Sequence, residues 1–212
     1  MQYTAEERNK RKEQLLRHME MKRRMLGFAV GICILLGALI SYAVLQQNEI
    51  QRRYIYPFHY RSMVEEYSRK YWVDEYLVVA MMKTESKFRT EAKSHTGATG
   101  LLQLMPETAG WIAEQLEDDG YDEERLKDPK ENIRYGVWYI HNLQEEFQGN
   151  EVLMLAAYNA GRGNVLEWME LNGWDYAFAD VDAIPYQETR EYIKRVLAAR
   201  NKYQQLYEDR EK

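Results

Sequence analysis

The sequence predicts an all-α protein in which a single transmembrane helix precedes a helical domain. Three observations carry that expectation. Leu26 to Leu45 reads LGFAVGICILLGALISYAVL, without one Asp, Glu, Lys or Arg. From Pro57 onward, apolar residues recur at helical rather than alternating spacing. No Asn-Gly between alternating apolar runs marks a β-hairpin. The chain of 212 residues has room for one well-packed domain plus an appendage.

Residues 1–25 form a basic segment with eight Lys and Arg against four Glu, a balance of +4 within a total of −5. The 20 residues from Leu26 to Leu45, at ~1.5 Å rise each, span ~30 Å as a helix, the thickness of a bilayer core. Basic side chains before the span place the N-terminus in the cytoplasm and the rest of the chain outside. A cleavable secretory signal is the rival reading, with Ser41-Tyr42-Ala43 as a poor cleavage site. The ~25-residue leader and the length of the block favour a retained anchor. Either reading exports the domain. Cys33 lies inside the span and Ile32 precedes it, which argues against lipidation; an apolar, membrane-facing thiol is the plain reading. The exported part therefore lacks disulfides, a Cys nucleophile and Cys-based zinc ligands. Its acidic balance, −9, argues against nucleic acid as a partner.

Gln46 to Tyr56 reads as a short polar stalk, and 57–212 as the domain. Pro57 opens a first helix reaching about Lys70. Asp74 is the N-cap of a second, which runs to Ser86. Pro106 sits in the first turn of a third, MPETAGWIAEQLE. Asp128-Pro129 starts a fourth, whose Ile133, Val137, Ile140, Leu143 and Phe147 share one face. Asn150 caps a fifth, which Gly161 ends. A short helix spans about Val165–Leu171, Gly173–Ala183 is a loop, and the last helix runs from about Tyr186 to Tyr207.

The chemistry concentrates in ESKFRTEAKSHTGATGLLQLMPETA, residues 85–109. Leu77, Met81 and Glu85 lie at i, i+4 and i+8, flanked by Val78 and Met82, so Glu85 continues an apolar stripe. A carboxyl in such surroundings loses hydration in its charged form and its pKa rises, as a general acid requires. The same residue also fits a helix-end glutamate with its head in solvent. The helix alone leaves both readings open. Gly97 and Gly100 permit tight backbone geometry where the chain folds back past Glu85. In AYNAG, at 157–161, Tyr158 and Asn159 fit a packing aromatic and a helix-end amide.

Taken together, ESKF, GLLQLMP, AYNAG and IPYQETREYIKRV (184–196) resemble the catalytic domain of the soluble-type lytic transglycosylases, glycoside hydrolase family 23, over roughly Val64 to Tyr203. The resemblance implies a lysozyme-like fold and action on bacterial peptidoglycan glycan strands, with no cofactor and no metal. It assigns Glu85 as the catalytic residue and Tyr192 as the hydroxyl directed at it. Ser94, Gln103, Met105, Tyr158 and Asn159 are implied to touch substrate. Glu188 and Arg190 match a Glu-Thr-Arg pattern and are expected to support structure through ion pairing. The chain departs from the family pattern at Arg89-Thr90, where Asn-Pro is common, and at Leu102, where Met is common. Both sit beside the acid and could reshape a subsite.

A glycosidase with two carboxylates needs a second one at fixed distance, and no motif ties one to Glu85. Glu91 and Glu107 are near in sequence without a role. A single-carboxyl scheme follows, in which Glu85 acts as acid and then base to give 1,6-anhydromuramoyl ends. A hydrolytic lysozyme of goose type and a non-catalytic wall-binding scaffold are the alternatives.

Overall fold

Helix α1 runs over Ala5–Ile50, and its stretch Leu16–Ala43 is long and apolar enough to cross a membrane. It extends beyond the 26–45 expectation on both sides because Glu, Lys, Arg, Met, Leu and Gln flank the apolar block, and all are strong helix formers. Apolar side chains along it are open, with Phe28 74% exposed. The expected stalk is helical to Ile50 and continues as a π-helical turn, Gln51–Ile55. This computed structural model describes residues 5–208, without the side chains of 5–11, 13–15 and 44–46, and divides into two units after Ile55. Residues 1–4 of the expected basic segment and 209–212 of the expected domain lie outside the described residues.

The second unit is helical, and among the described residues it has isolated β-bridges but no strand. Its helices are α2 (Arg61–Tyr71), α3 (Glu75–Glu85), α4 (Pro106–Gln115), α5 (Pro129–Glu146), α6 (Glu151–Ala160), α7 (Arg162–Asn172) and α8 (Gln187–Tyr207). Pro57 does not open the first of them. The Tyr203 hydroxyl donates to the Pro57 carbonyl and Tyr207 to that of Tyr56, which draws this segment toward α8. The chain then turns through Tyr60 in the left-handed region (φ 57°) before α2 begins. Helix α7 starts three residues earlier than expected, directly after Gly161.

The caps follow local chemistry. Asp74 accepts from the Tyr76 amide, and Asp128 from those of Lys130 and Glu131. Each satisfies helix-end donors that would otherwise lack partners. Asn150 does more than cap α6. Its Oδ1 accepts from the Leu153 amide, while its Nδ2 donates to the carbonyls of Tyr176 and Phe178. One side chain thus starts a helix and clasps the 173–183 loop. Asn150→Ala is expected to destabilise the domain by about 2 kcal/mol and lower its Tm by about 4–8 °C, measurable by calorimetry.

Helix α3 is the centre of the core. Leu77, Val78, Val79, Ala80, Met81 and Met82 are all buried, so the stripe expected from the sequence is a helix apolar all round. It packs on α8 through a cluster that includes Tyr192, Ile193, Val196 and Tyr203. The five expected face residues of α5 are fully buried. A second cluster, with Leu104, Ile112, Leu126 and Tyr135, joins α4, α5 and an unexpected 3-10 turn at Glu123–Lys127.

Candidate active site

The loop between α3 and α4 is built by close approach. Lys87 and Phe88 are both left-handed and turn the chain after Ser86, while Arg89 Nε donates to the Ser86 carbonyl across that turn. Bridges pair Lys93 with Thr99 and Thr99 with Leu104, so the loop folds back on itself. Gly100 sits at φ 84°, and a Cβ there would lie 2.2 Å from Asn132 Nδ2 and 2.3 Å from the Leu126 carbonyl oxygen. Only glycine fits that place. Asn132 is fully buried on α5 and satisfies three loop groups. Its Oδ1 accepts from the Leu102 amide, and its Nδ2 donates to the carbonyls of Thr99 and Leu126. Leu102 then packs against Gly136, where a Cβ would come within 2.2 Å of its Cδ1. The Leu102 departure therefore faces the core; what it offers the site is its carbonyl.

Glu85 ends α3 as a partly exposed side chain whose carboxyl is pushed up to about 7. Burial is the main cause; the Tyr192 hydroxyl and the charge of Arg195 pull the other way. A residue that keeps its proton near neutrality and still reaches a surface suits proton donation. Tyr192 comes from α8 and is 3% exposed. Its buried hydroxyl has no well-formed hydrogen bond among the described residues, and the Glu85 carboxyl is the polar group it interacts with. Tyr158 of α6 donates to the Leu102 carbonyl at 2.7 Å and also feels the Glu85 charge. Beside it, Asn159 Oδ1 accepts from Thr189 Oγ1 of α8. Three helices and the loop meet at one carboxyl.

Gln103, Met105, Tyr158 and Asn159 line a cavity of about 260 Å³, together with Thr108 and Tyr139. Gln103 is itself left-handed at φ 48° and donates from Nε2 to the carbonyls of Ala92 and Gly100. Its Oε1 makes no hydrogen bond among the described residues and remains available as an acceptor. Glu85 and Tyr192 are not in this lining; Tyr158 connects them to it. Ser94 stands apart from the cavity. Its Oγ accepts from the Ala98 amide and bonds to Thr96 Oγ1 within its own turn. A second cavity of about 420 Å³ shares Thr108, Tyr139 and Gly161 and adds Glu107, Trp111 and Arg162. Among the described residues, no cluster of His, Cys, Asp or Glu fits a metal.

Sequence reasoning missed Tyr139, Trp111, Thr108, Thr189 and Arg195. The first two carry a faint signal, since both are large aromatics outside the apolar stripes of their helices. Their rings meet edge to face, with centroids 6.3 Å apart. The ion pairing expected of Glu188 and Arg190 is not formed among the described residues. Arg190 Nη1 instead donates to the carbonyls of Ile184 and Pro185 and fixes the entry to α8.

The soluble lytic murein transglycosylase of Escherichia coli is 35% identical over 145 residues, covering 68% of this chain and 22% of that protein. The membrane-bound lytic murein transglycosylase C of Actinobacillus pleuropneumoniae is 30% identical over 165 residues, covering 68% of this chain and 45% of that protein. The crystal structure of the 70-kDa soluble lytic transglycosylase of Escherichia coli matches with a TM-score of 0.65 at 32% identity, over 70% of this chain and 24% of that one. This chain thus spans about a fifth of the length of its soluble relative. Residues 62–180 match the transglycosylase SLT domain, and the chain belongs to that family.

Proposed function

We propose that this protein is a membrane-anchored lytic transglycosylase that cleaves the β-1,4 bond between N-acetylmuramic acid and N-acetylglucosamine in peptidoglycan. The observation that carries this reading is the single sheltered carboxyl of Glu85, pushed up to about 7 beside the buried Tyr192 hydroxyl. Among the described residues, the side chains that shift it are Tyr192 and Arg195 rather than a second carboxylate, which supports the scheme with one acid over the paired-carboxylate geometries.

In the first half of the cycle, Glu85 donates its proton to the glycosidic oxygen as the bond to the muramoyl anomeric carbon breaks. The substrate's own acetamido group stabilises the positive charge that develops there. In the second half, the Glu85 carboxylate takes the proton of the muramoyl 6-hydroxyl while that oxygen attacks the anomeric carbon. The carboxyl ends protonated, no water enters, and the product carries a 1,6-anhydro ring. Tyr192 orients Glu85. Gln103, Met105, Tyr158 and Asn159 hold the saccharide, and Ser94 contacts it from the neighbouring turn. The apolar stretch of α1 supports a single membrane pass, and the excess of Lys and Arg before it favours a cytoplasmic N-terminus with the domain outside. A homologue named as membrane-bound favours that anchoring.

Mass spectrometry of digested cell wall tests the product. Anhydro ends, lighter by one water, support the reading; reducing ends mean a hydrolytic lysozyme on the same scaffold. The pH profile tests the acid: because Glu85 must carry its proton to start the reaction, turnover should fall as pH rises through about 7. Tyr192→Phe should lower kcat by about 10–100-fold. It should leave Tm nearly unchanged, since the hydroxyl it deletes has no well-formed hydrogen bond to lose. That hydroxyl holds the Glu85 pKa down, so its removal should move the alkaline limb to higher pH. An unmoved limb with unchanged kcat removes Tyr192 from the mechanism.

A further inference from the structure

The turn between α2 and α3 carries a side chain that its own backbone disfavours. Trp72 ends α2 in the left-handed region, at φ 57°, where helix ends favour glycine. A large side chain is strained there. Burial does not offset the strain, because Trp72 is 85% exposed. Its indole makes no ring contact and no hydrogen bond among the described residues. Folding does not account for a tryptophan at this place.

The ring stands beside a cavity of about 490 Å³, walled also by Ser68, Arg69, Val73, Asp74 and Glu75. Asp74 is held in position: Oδ1 accepts from the Tyr76 amide and Oδ2 from Arg200 Nε of α8. Each of these oxygens keeps a lone pair for another donor. Arg69 is exposed, and its guanidinium has no partner among the described residues. The Ser68 hydroxyl is buried and also lacks a hydrogen bond among them. The cavity lies at the start of α3 and Glu85 at its end, ~15 Å of helix away. It shares no residue with the two cavities near Tyr158 and Trp111.

A bare aromatic face among carboxylates, a guanidinium and a hydroxyl suits a sugar. The negative face of the ring attracts the polarised C–H bonds on one side of a pyranose. Carboxylates accept from its hydroxyls, and arginine donates to their oxygens. We propose that the Trp72 cavity is a second saccharide site, which holds a length of N-acetylhexosamine glycan distinct from the one being cut. That this glycan is cell wall rests on the function proposed above. An exposed tryptophan beside an arginine also suits a membrane surface, but the carboxylates of Asp74 and Glu75 repel anionic headgroups. Trp72 is a binding residue in this scheme and takes no part in proton transfer.

The test uses the full chain in lipid nanodiscs, carrying Glu85→Gln and 5-fluorotryptophan at its five tryptophans. Trp72→Phe assigns the Trp72 fluorine resonance by its loss. Trp111→Phe does the same for Trp111, whose ring meets Tyr139 of the cavity at Tyr158. Titration with N-acetylated chitotetraose should shift the Trp72 resonance saturably. A shift confined to Trp111 overturns the proposal and leaves the function above standing. No shift at either tryptophan overturns both. Broadening of the Trp72 resonance by a nitroxide-labelled lipid headgroup, before sugar is added, identifies a membrane contact and also overturns it.

With Glu85 intact, Trp72→Gly should lower the ratio of kcat/KM on insoluble wall to that on a soluble tetrasaccharide about tenfold. It should do so without lowering Tm, since glycine relieves the left-handed strain. A lower Tm with equal loss on both substrates means a structural role and overturns the proposal. If the unaltered protein cleaves neither substrate, the assigned activity fails, while the Trp72 resonance still decides the second site.

Discussion

Glu85→Gln should reduce peptidoglycan cleavage by at least about 10³-fold, since general acid and base contributions of about 10²–10⁴ both reside in this one group. The same substitution should stabilise the protein at alkaline pH. A carboxyl whose pKa is raised from 4.5 to about 7 holds its proton more tightly folded than unfolded. Between those two values the folded state binds more protons, so stability falls as pH rises through the window. Below about 4.5 the burden is absent; above about 7 it is fully present. Glutamine mimics the neutral acid and escapes it. Discounted for the partial exposure of Glu85, the gain at pH 8 is about 1–3 kcal/mol. Thermal unfolding of both proteins at pH 4.5 and 8 measures it. A variant keeping a tenth of its turnover would remove Glu85 from its role. One with equal Tm differences at both pH values would show that the carboxyl is not sheltered.

Gly100→Ala should be the most damaging single methyl in the loop. The added carbon would overlap Asn132 Nδ2 at 2.2 Å and the Leu126 carbonyl at 2.3 Å, and it would sit at φ 84°. Neither neighbour can yield cheaply. The carbonyl belongs to backbone, and the amide already satisfies Leu102, Thr99 and Leu126. Backbone strain of about 1–3 kcal/mol adds to disruption of a buried polar cluster at about 1–3 kcal/mol. A loss of about 3–5 kcal/mol is expected, with Tm falling by about 6–20 °C. Activity should fall further than unfolding alone explains, because Tyr158 takes its anchor from the Leu102 carbonyl. Circular dichroism and turnover at 20 °C separate the two losses. If Gly100→Ala folds with near-normal Tm, the loop is not locked on α5 as described.

What was legible in the sequence is what is written locally. Asp74, Asp128, Asn150 and Gly161 mark helix ends through their own side chains or backbone freedom, and those ends lie where expected. Pro57 misled because two tyrosines some 146 and 151 positions away hold its neighbourhood out of the helix. Asn132 gave no signal, since a buried asparagine inside a helix looks like any polar residue until its loop partners, 30 and 33 positions away, are seen. Glu85 stood between: the apolar stripe admitted burial, and only the packing of α8 brought Tyr192 and Arg195 to it. Tyr139 and Arg162 escaped because cavity walls are assembled from several helices at once.

Glu85 also closes α3, at the end where the last carbonyls have no helical amides to accept from. Peptide dipoles aligned along the helix leave partial negative charge there, in the same direction as burial. Retention of the proton is thus written partly into the main chain, beyond the reach of side-chain replacement. Substitutions that open the carboxyl to water would remove the larger share, which comes from burial; the main-chain share, about 0.3–1 kcal/mol, persists for as long as the helix ends at this residue.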